Sequence, residues 1–177
     1  MTLPRILIAG IGNIFFGDDA FGVEVVRRLA SRPMPAGVRV VDFGIRGLDL
    51  AYALSDGYGA AILVDAVQRG GTPGTLYLLE LDPDASDLPP PSMEPHTLDP
   101  WRVLGLARTL DGKVGQVFLL GCQPASFEPE DGSMELSEPV QAALPEAIAM
   151  IDALIAKIRD AGEPPGPREP MKGSVCS

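Results

Sequence analysis

Two adjacent carboxylates, Asp18 and Asp19, follow a glycine turn; two more acids, Asp42 and Asp65, lie near the carboxyl ends of apolar runs, and a solitary histidine, His96, ends a long polar stretch. Asp19, Asp65 and His96 together would form an O, O, N donor set with open coordination positions. Such a mixed set suits a borderline divalent ion such as zinc or nickel, held loosely enough to be shared with a substrate. Placement at helix starts helps, because the dipole keeps Asp19 ionised and favours neutral His96, the forms that bind metal; Asp99 partly counters this at His96. Each residue also has an ordinary alternative. Asp18 or Asp19 alone reads as a helix N-cap, Asp42 with Gly44 two residues on as an Asx turn, and His96 as a polar loop residue. Asp65 is harder to dismiss, since a carboxylate ending a buried strand needs a partner to offset its desolvation.

Several chemistries are excluded. With one histidine in 177 residues, neither an HExxH zinc site nor any other multi-histidine site can form within one chain. There is no G-x-S-x-G elbow and no cysteine paired by spacing with His96, so nucleophilic hydrolysis of the ordinary kind has little support. Cys122, after an apolar run, reads as a buried structural thiol, and with only Cys176 besides it a disulfide framework is not expected. GIGNIF carries two glycines of a dinucleotide fingerprint but has Phe15 in place of the third, and Asp18 and Asp19 occupy the helix start that a pyrophosphate would need. A net charge of -10 without a basic stripe argues against nucleic acid and leaves a neutral, cationic or metal-bearing partner.

The elements that must position these groups follow from the pattern. The apolar run Ile6 to Ala9 is short and β-branched and is ended by Gly10 and Gly12, as suits a strand covered on both faces. It continues into Asn13 and the two acids without a small-residue cleavage site, so it reads as core rather than as a signal peptide. Glu24, Arg27, Arg28 and Ser31 then line one face of a helix, and Gly22, Val23, Val26, Leu29 and Ala30 the other. VRVVDF is a second strand, GIRGLDLAYALSDG holds a short helix, and AAILVDAV is a third strand of central parallel type. LYLLEL follows RGGTPGT without room for a crossover, so it must pair antiparallel, as a hairpin or at an edge. A Pro-rich loop from Asp82 to Pro95 leads to His96, then to a helix capped by Asp99 with Pro100 first, a fifth strand over Gly115 to Gly121, and a long terminal helix that Pro145 should kink or split.

This order predicts an α/β protein of three layers, with a five-stranded, mostly parallel, twisted sheet and one antiparallel strand. Right-handed crossovers bring the Asp18 and Asp19 pair, Asp42 and Asp65 to one edge, where such folds bind ligands. One domain over 1–161 with a disordered tail over 162–177 is expected, in a soluble, cytoplasmic protein that does not cross a membrane.

The pieces GIGNIFFGDDAFG, VVDFGIRGLDL, ILVDAV, TPGTL, PHTLDPWRVL, and GCQPASF followed by LSEPVQAALP, in this order and spacing, resemble the hydrogenase maturation proteases, from Ile6 to about Ile155. The resemblance implies a sheet between helices and an endopeptidase that removes a C-terminal extension from the large-subunit precursor of a nickel-iron hydrogenase. In that reading nickel arrives with the precursor as the recognition element, no organic cofactor is needed, and the enzyme is a monomer. Matched residue by residue, the metal-contacting and catalytic positions fall on Asp19, Asp65 and His96, with Asp42 at a further acidic position. Ala20 stands where many members have Gly, and Glu94 and Pro95 precede His96 where a Ser-containing segment is common. The rival readings are a non-enzymatic, metal-reading chaperone of a hydrogenase subunit and, less favoured, a nucleotide-binding module.

Overall fold

The computed structural model describes residues 2–84, 98–110, 113–127 and 134–162. Five strands form one sheet in the order β2-β1-β3-β5-β4. These are β1 (Ile6–Ile11), β2 (Val38–Gly44), β3 (Ala60–Ala66), β4 (Leu76–Leu81) and β5 (Gln116–Cys122). All neighbours pair in parallel except β4, which lies antiparallel to β5 at an edge. The helices are α1 (Phe21–Ala30), α2 (Gly47–Leu54), α3 (Pro100–Thr109) and α4 (Glu138–Gly162).

The continuous apolar runs of β1 and β3 have a simple cause. Both strands are buried throughout, and alternate side chains go to opposite faces. Ile6, Ile8, Ile62 and Val64 enter one core with the apolar faces of α1 and α4, while Leu7, Ala9, Ile11 and Leu63 enter the other with α2 and α3. The result is the expected three-layer arrangement, with β3 in the middle of the sheet. Along α4, Val140, Leu144, Ala147, Ile151, Leu154, Ile155 and Ile158 are buried in the first core. This helix is long and apolar enough by length and composition to cross a membrane, but its apolar face is used against the sheet.

Two boundaries differ from the sequence reading. The helix α4 runs unbroken through Pro145 rather than splitting there. Pro145 and Gln141, whose carbonyl loses its helical partner, are both exposed, so water can replace the missing donor while the buried face holds the helix together. Secondly, Asp18 and Asp19 do not open α1; they occupy a separate 3-10 turn, Gly17–Ala20, and α1 begins only at Phe21 with no side-chain cap. The proposed disordered tail lies, from residue 163 onward, outside the described residues, as do Cys176 and the loop from 85 to 97 with His96.

The approach of α1 to the sheet requires glycine. A Cβ on Gly22 would sit 2.0 Å from the Val64 carbonyl oxygen and 2.4 Å from that of Ile11. Backbone meets backbone there, so no rotamer change makes room. Gly22→Ala should therefore lift α1 from β1 and β3 and destabilise the fold by at least ~3 kcal/mol, measured by urea unfolding.

Candidate functional site

The turn after β1 is fixed by its own polar groups. Asn13 Oδ1 accepts from the Phe15 N–H at 3.0 Å, and the Asn13 carbonyl accepts from the Phe16 N–H at 3.2 Å. The Asn13 N–H in turn donates to Asp19 Oδ2 at 2.9 Å, and the Asp19 N–H donates to the Phe16 carbonyl at 3.0 Å. Gly12, with φ of 141°, leaves the space that the Asp19 carbonyl fills, since a Cβ would lie 1.8 Å from that oxygen. The glycine of this turn thus admits the protein's own backbone. That use removes the main support for a phosphate cradle here.

The adjacent acids have different partners. The Asp18 side chain, in a residue 1% exposed, accepts, among the described residues, from the chain beyond β5. Its Oδ2 takes the Ala125 N–H at 2.8 Å, the Ser137 hydroxyl at 2.8 Å and, longer, the Ser126 N–H at 3.5 Å; its Oδ1 takes the Ser137 N–H at 2.7 Å. Ser137 immediately precedes α4, so one carboxylate ties the turn after β1 to the chain leaving β5 and to the start of α4. Neither acid is the N-cap that local spacing suggests.

Asp65 lies one residue before the end of β3 and is buried. Its Oδ1 accepts from the Ala66 N–H at 2.8 Å. Burial first, then the charge of Asp19 and, to a smaller extent, that of Asp99 push its carboxyl well above the ordinary carboxylate range, against the lowering effect of the Ala66 hydrogen bond. Asp19, from the turn after β1, and Asp65, from β3, are therefore brought to one edge, as the parallel topology demands. Asp99 joins them from the start of α3, where its Oδ1 caps the helix by accepting from the Trp101 N–H at 2.9 Å. The sequence reading recognised this cap but related its charge only to His96. Asp42 occupies the same edge at the end of β2 and is exposed, separated from β3 by β1.

Two polar residues missed by spacing rules help to hold this edge. Asp18 is one, and Gln123 is the other. Buried Gln123 accepts at Oε1 from the Arg69 N–H at 2.8 Å and the Gly71 N–H at 3.3 Å, and its Nε2 donates to Gln68 Oε1 at 2.7 Å. It thereby fixes the loop that leaves β3 just after Asp65. No local pattern reveals either contact, because the partners are 52 to 119 positions apart. Cys122 is a buried thiol whose pKa is pushed up to about 12 by burial and by the charge of Asp18, which keeps it protonated and non-nucleophilic.

Among the described residues no group of three His, Cys, Asp or Glu side chains is placed to hold a metal ion. The third member of the expected donor set, His96, lies outside those residues. What the described edge provides is two carboxylates from different elements, close enough to oppose each other's charge. A cation would relieve that opposition, and carboxylate oxygens are suitable donors for one.

A sequence profile of the family described as "Hydrogenase maturation protease" matches residues 23–153. The hydrogenase 2 maturation protease of Escherichia coli K12 is 31% identical over 166 residues, covering 93% of this chain and 97% of that protein. The hydrogenase expression/formation protein HupD of Rhodobacter capsulatus is 34% identical over 152 residues, or 84% of this chain and 72% of the relative. Among solved structures, the hydrogenase maturating endopeptidase HybD of E. coli superposes with a TM-score of 0.73 at 28% identity, covering 86% of this chain and 93% of that one.

Two consequences of the carboxylates can be measured on metal-free protein. Because the folded state binds the Asp65 proton more tightly than the unfolded chain does, this group's contribution is fully present below the ordinary carboxylate pKa and is lost as pH rises through the higher folded value. Asp65→Asn keeps an acceptor for the Ala66 N–H and removes the charge. Its Tm should exceed that of the parent at pH 7.5, with the gap shrinking toward pH 4, as read by thermal scans with chelator present. Asp18→Asn should instead destabilise the fold. It places an amide NH2 among N–H and hydroxyl donors and should cost ~2–4 kcal/mol in urea unfolding at neutral pH.

Proposed function

We propose that this chain, which belongs to the hydrogenase maturation protease family and is a peptidase, removes a C-terminal extension from the nickel-loaded precursor of a nickel-iron hydrogenase large subunit. The observation that carries the reading is the buried Asp19 and Asp65 pair, whose charges oppose each other at the sheet edge until a cation lies between them. Nickel belongs to the substrate in this scheme. The precursor presents it on its own thiolates, and the peptidase contributes oxygens from Asp19 and Asp65 and a nitrogen from His96. His96 is three residues before Asp99 in the sequence, and the charge of Asp99 is felt at Asp65, which supports the histidine's assignment to the same edge.

The chemistry then rests on placement. Coordination of a metal that the precursor already holds fixes the client against the edge and converts an encounter between two proteins into a positioned reaction. Entry of the cation offsets both the burial and the acidic neighbours that raise the Asp65 pKa, so the proton leaves as the metal arrives. An empty precursor offers no such exchange, which gives a physical basis for reading metal content before cleavage. A cytoplasmic monomer with a reduced Cys122 would carry this out.

The test is incubation with purified, nickel-loaded large-subunit precursor, read by mass spectrometry for the C-terminal peptide. Asp19→Asn, Asp65→Asn and His96→Ala should each slow trimming by at least ~100-fold while leaving folded protein. Ordinary trimming by any of the three would remove that residue from the scheme. Release of no peptide by the parent protein would instead favour the chaperone reading.

A further inference from the structure

The turn that holds Asp19 also puts a phenylalanine into water. Phe15 is 67% exposed, although its backbone N–H is bonded to Asn13 Oδ1 and its neighbours Phe16 and Asp19 are bonded within the same turn. The chain leaving β2 does the same with an aliphatic residue. There the Gly12 N–H donates to the Gly44 carbonyl at 3.0 Å, which joins the two turns. Gly44, at φ of 56°, reverses the chain, and Arg46 fastens it by donating from its backbone N–H and from Nε to the Phe43 carbonyl. Between these anchors Ile45 is 59% exposed, and Leu48, in the first turn of α2, is 55% exposed.

Three large apolar side chains are thus displayed from hydrogen-bonded backbone at the carboxyl edge that carries Asp19, Asp42 and Asp65. Scattered exposed hydrophobics are ordinary on a protein surface, but these sit on structured turns, where most of the ordering cost of binding has already been met. Arg46, between Ile45 and Leu48, is paired with Asp49 at 3.3 Å, and the acids beside the rim disfavour a nucleic acid or any client whose contact surface is itself acidic. A surface offering a cation ringed by apolar side chains complements both the floor and the rim.

We propose that Phe15, Ile45 and Leu48 form a preordered apolar rim on which the hydrogenase large-subunit precursor seats its own apolar side chains, so that client choice is made beside the acidic pair rather than by it. This deepens the reading of the site given above and rests on it. The rim contributes equally before and during reaction, so its loss should appear in binding and not in turnover.

The experiment compares the parent protein with a Phe15→Ser, Ile45→Ser, Leu48→Ser variant, using the nickel-loaded precursor for both equilibrium binding and trimming. Leu3→Ser, which removes a comparably exposed side chain just before β1, is the control. The triple variant should retain the parental Tm within a few degrees, raise Kd and KM at least ~10-fold and keep kcat within about twofold, while the control matches the parent. Unchanged Kd and KM in the triple variant would overturn the proposal. So would sedimentation showing that the parent is a dimer dispersed by the same substitutions, since the rim would then be covered by a second copy. Binding by the parent that is weakened in the triple variant, with no peptide released by either, would support the rim and overturn the peptidase reading of the site.

Discussion

Asp18 joins parts of the molecule that are far apart in the chain. Its carboxylate accepts from Ala125 and Ser137, 107 and 119 positions away, and so closes the carboxyl edge of the sheet around the turn after β1. Hydrogen bonds to a charged, buried acceptor are among the stronger ones available, and here they satisfy a carboxylate that is itself 1% exposed. With Asp18 committed inward, its neighbour is left to serve the other side. The carbonyl of Asp19 fills the space at Gly12 and its Oδ2 takes the Asn13 N–H, so the group is fixed at two atoms before any ligand arrives. One acid builds the edge and the next is presented by it.

The cost of the arrangement falls on Asp65. A buried carboxylate facing Asp19, with Asp99 contributing, is disfavoured in its charged form, and only the Ala66 N–H works the other way. Such a group lowers the stability of the metal-free protein at neutral pH and is tolerated because two cores, one on each face of β1 and β3, provide the remaining stability. Strain of this kind, held in place by a well-packed scaffold, is common where a protein must respond to a charged ligand.

How much of this was legible without coordinates depended on how local the cause is. The strands β1 and β3 declared themselves because burial on both faces demands a continuous apolar run, and Asp65 stood out because it interrupts one. Asp99 was recognisable as a cap because the contact with Trp101 spans only two residues. By contrast, Asp18 looked like a helix cap because its partners lie in distant segments that spacing cannot relate. The intervening 3-10 turn displaced both acids from α1, and no local rule distinguishes that turn from a helix start. Pro145 misled for the opposite reason: its local penalty is real, but the exposed setting of Gln141 and Pro145 and a buried apolar face on α4 outweigh it.

On the proposed reading, selectivity follows from how incomplete the site is by itself. Two carboxylates that oppose each other hold a free ion less well than a full ligand set would, so little is gained from metal alone. An apolar rim without a cation to satisfy the acids beside it brings a client close to a charged, desolvated pair, which is unfavourable. Only a surface that brings both, a metal with its own protein ligands and apolar neighbours around it, satisfies every group at once. Discrimination then comes from what is left unsatisfied by the wrong partner as much as from what is gained with the right one. The fixed turns after β1 and β2 make that conjunction strict, because the acid and the apolar side chains are mounted on the same hydrogen-bonded backbone and cannot adjust independently.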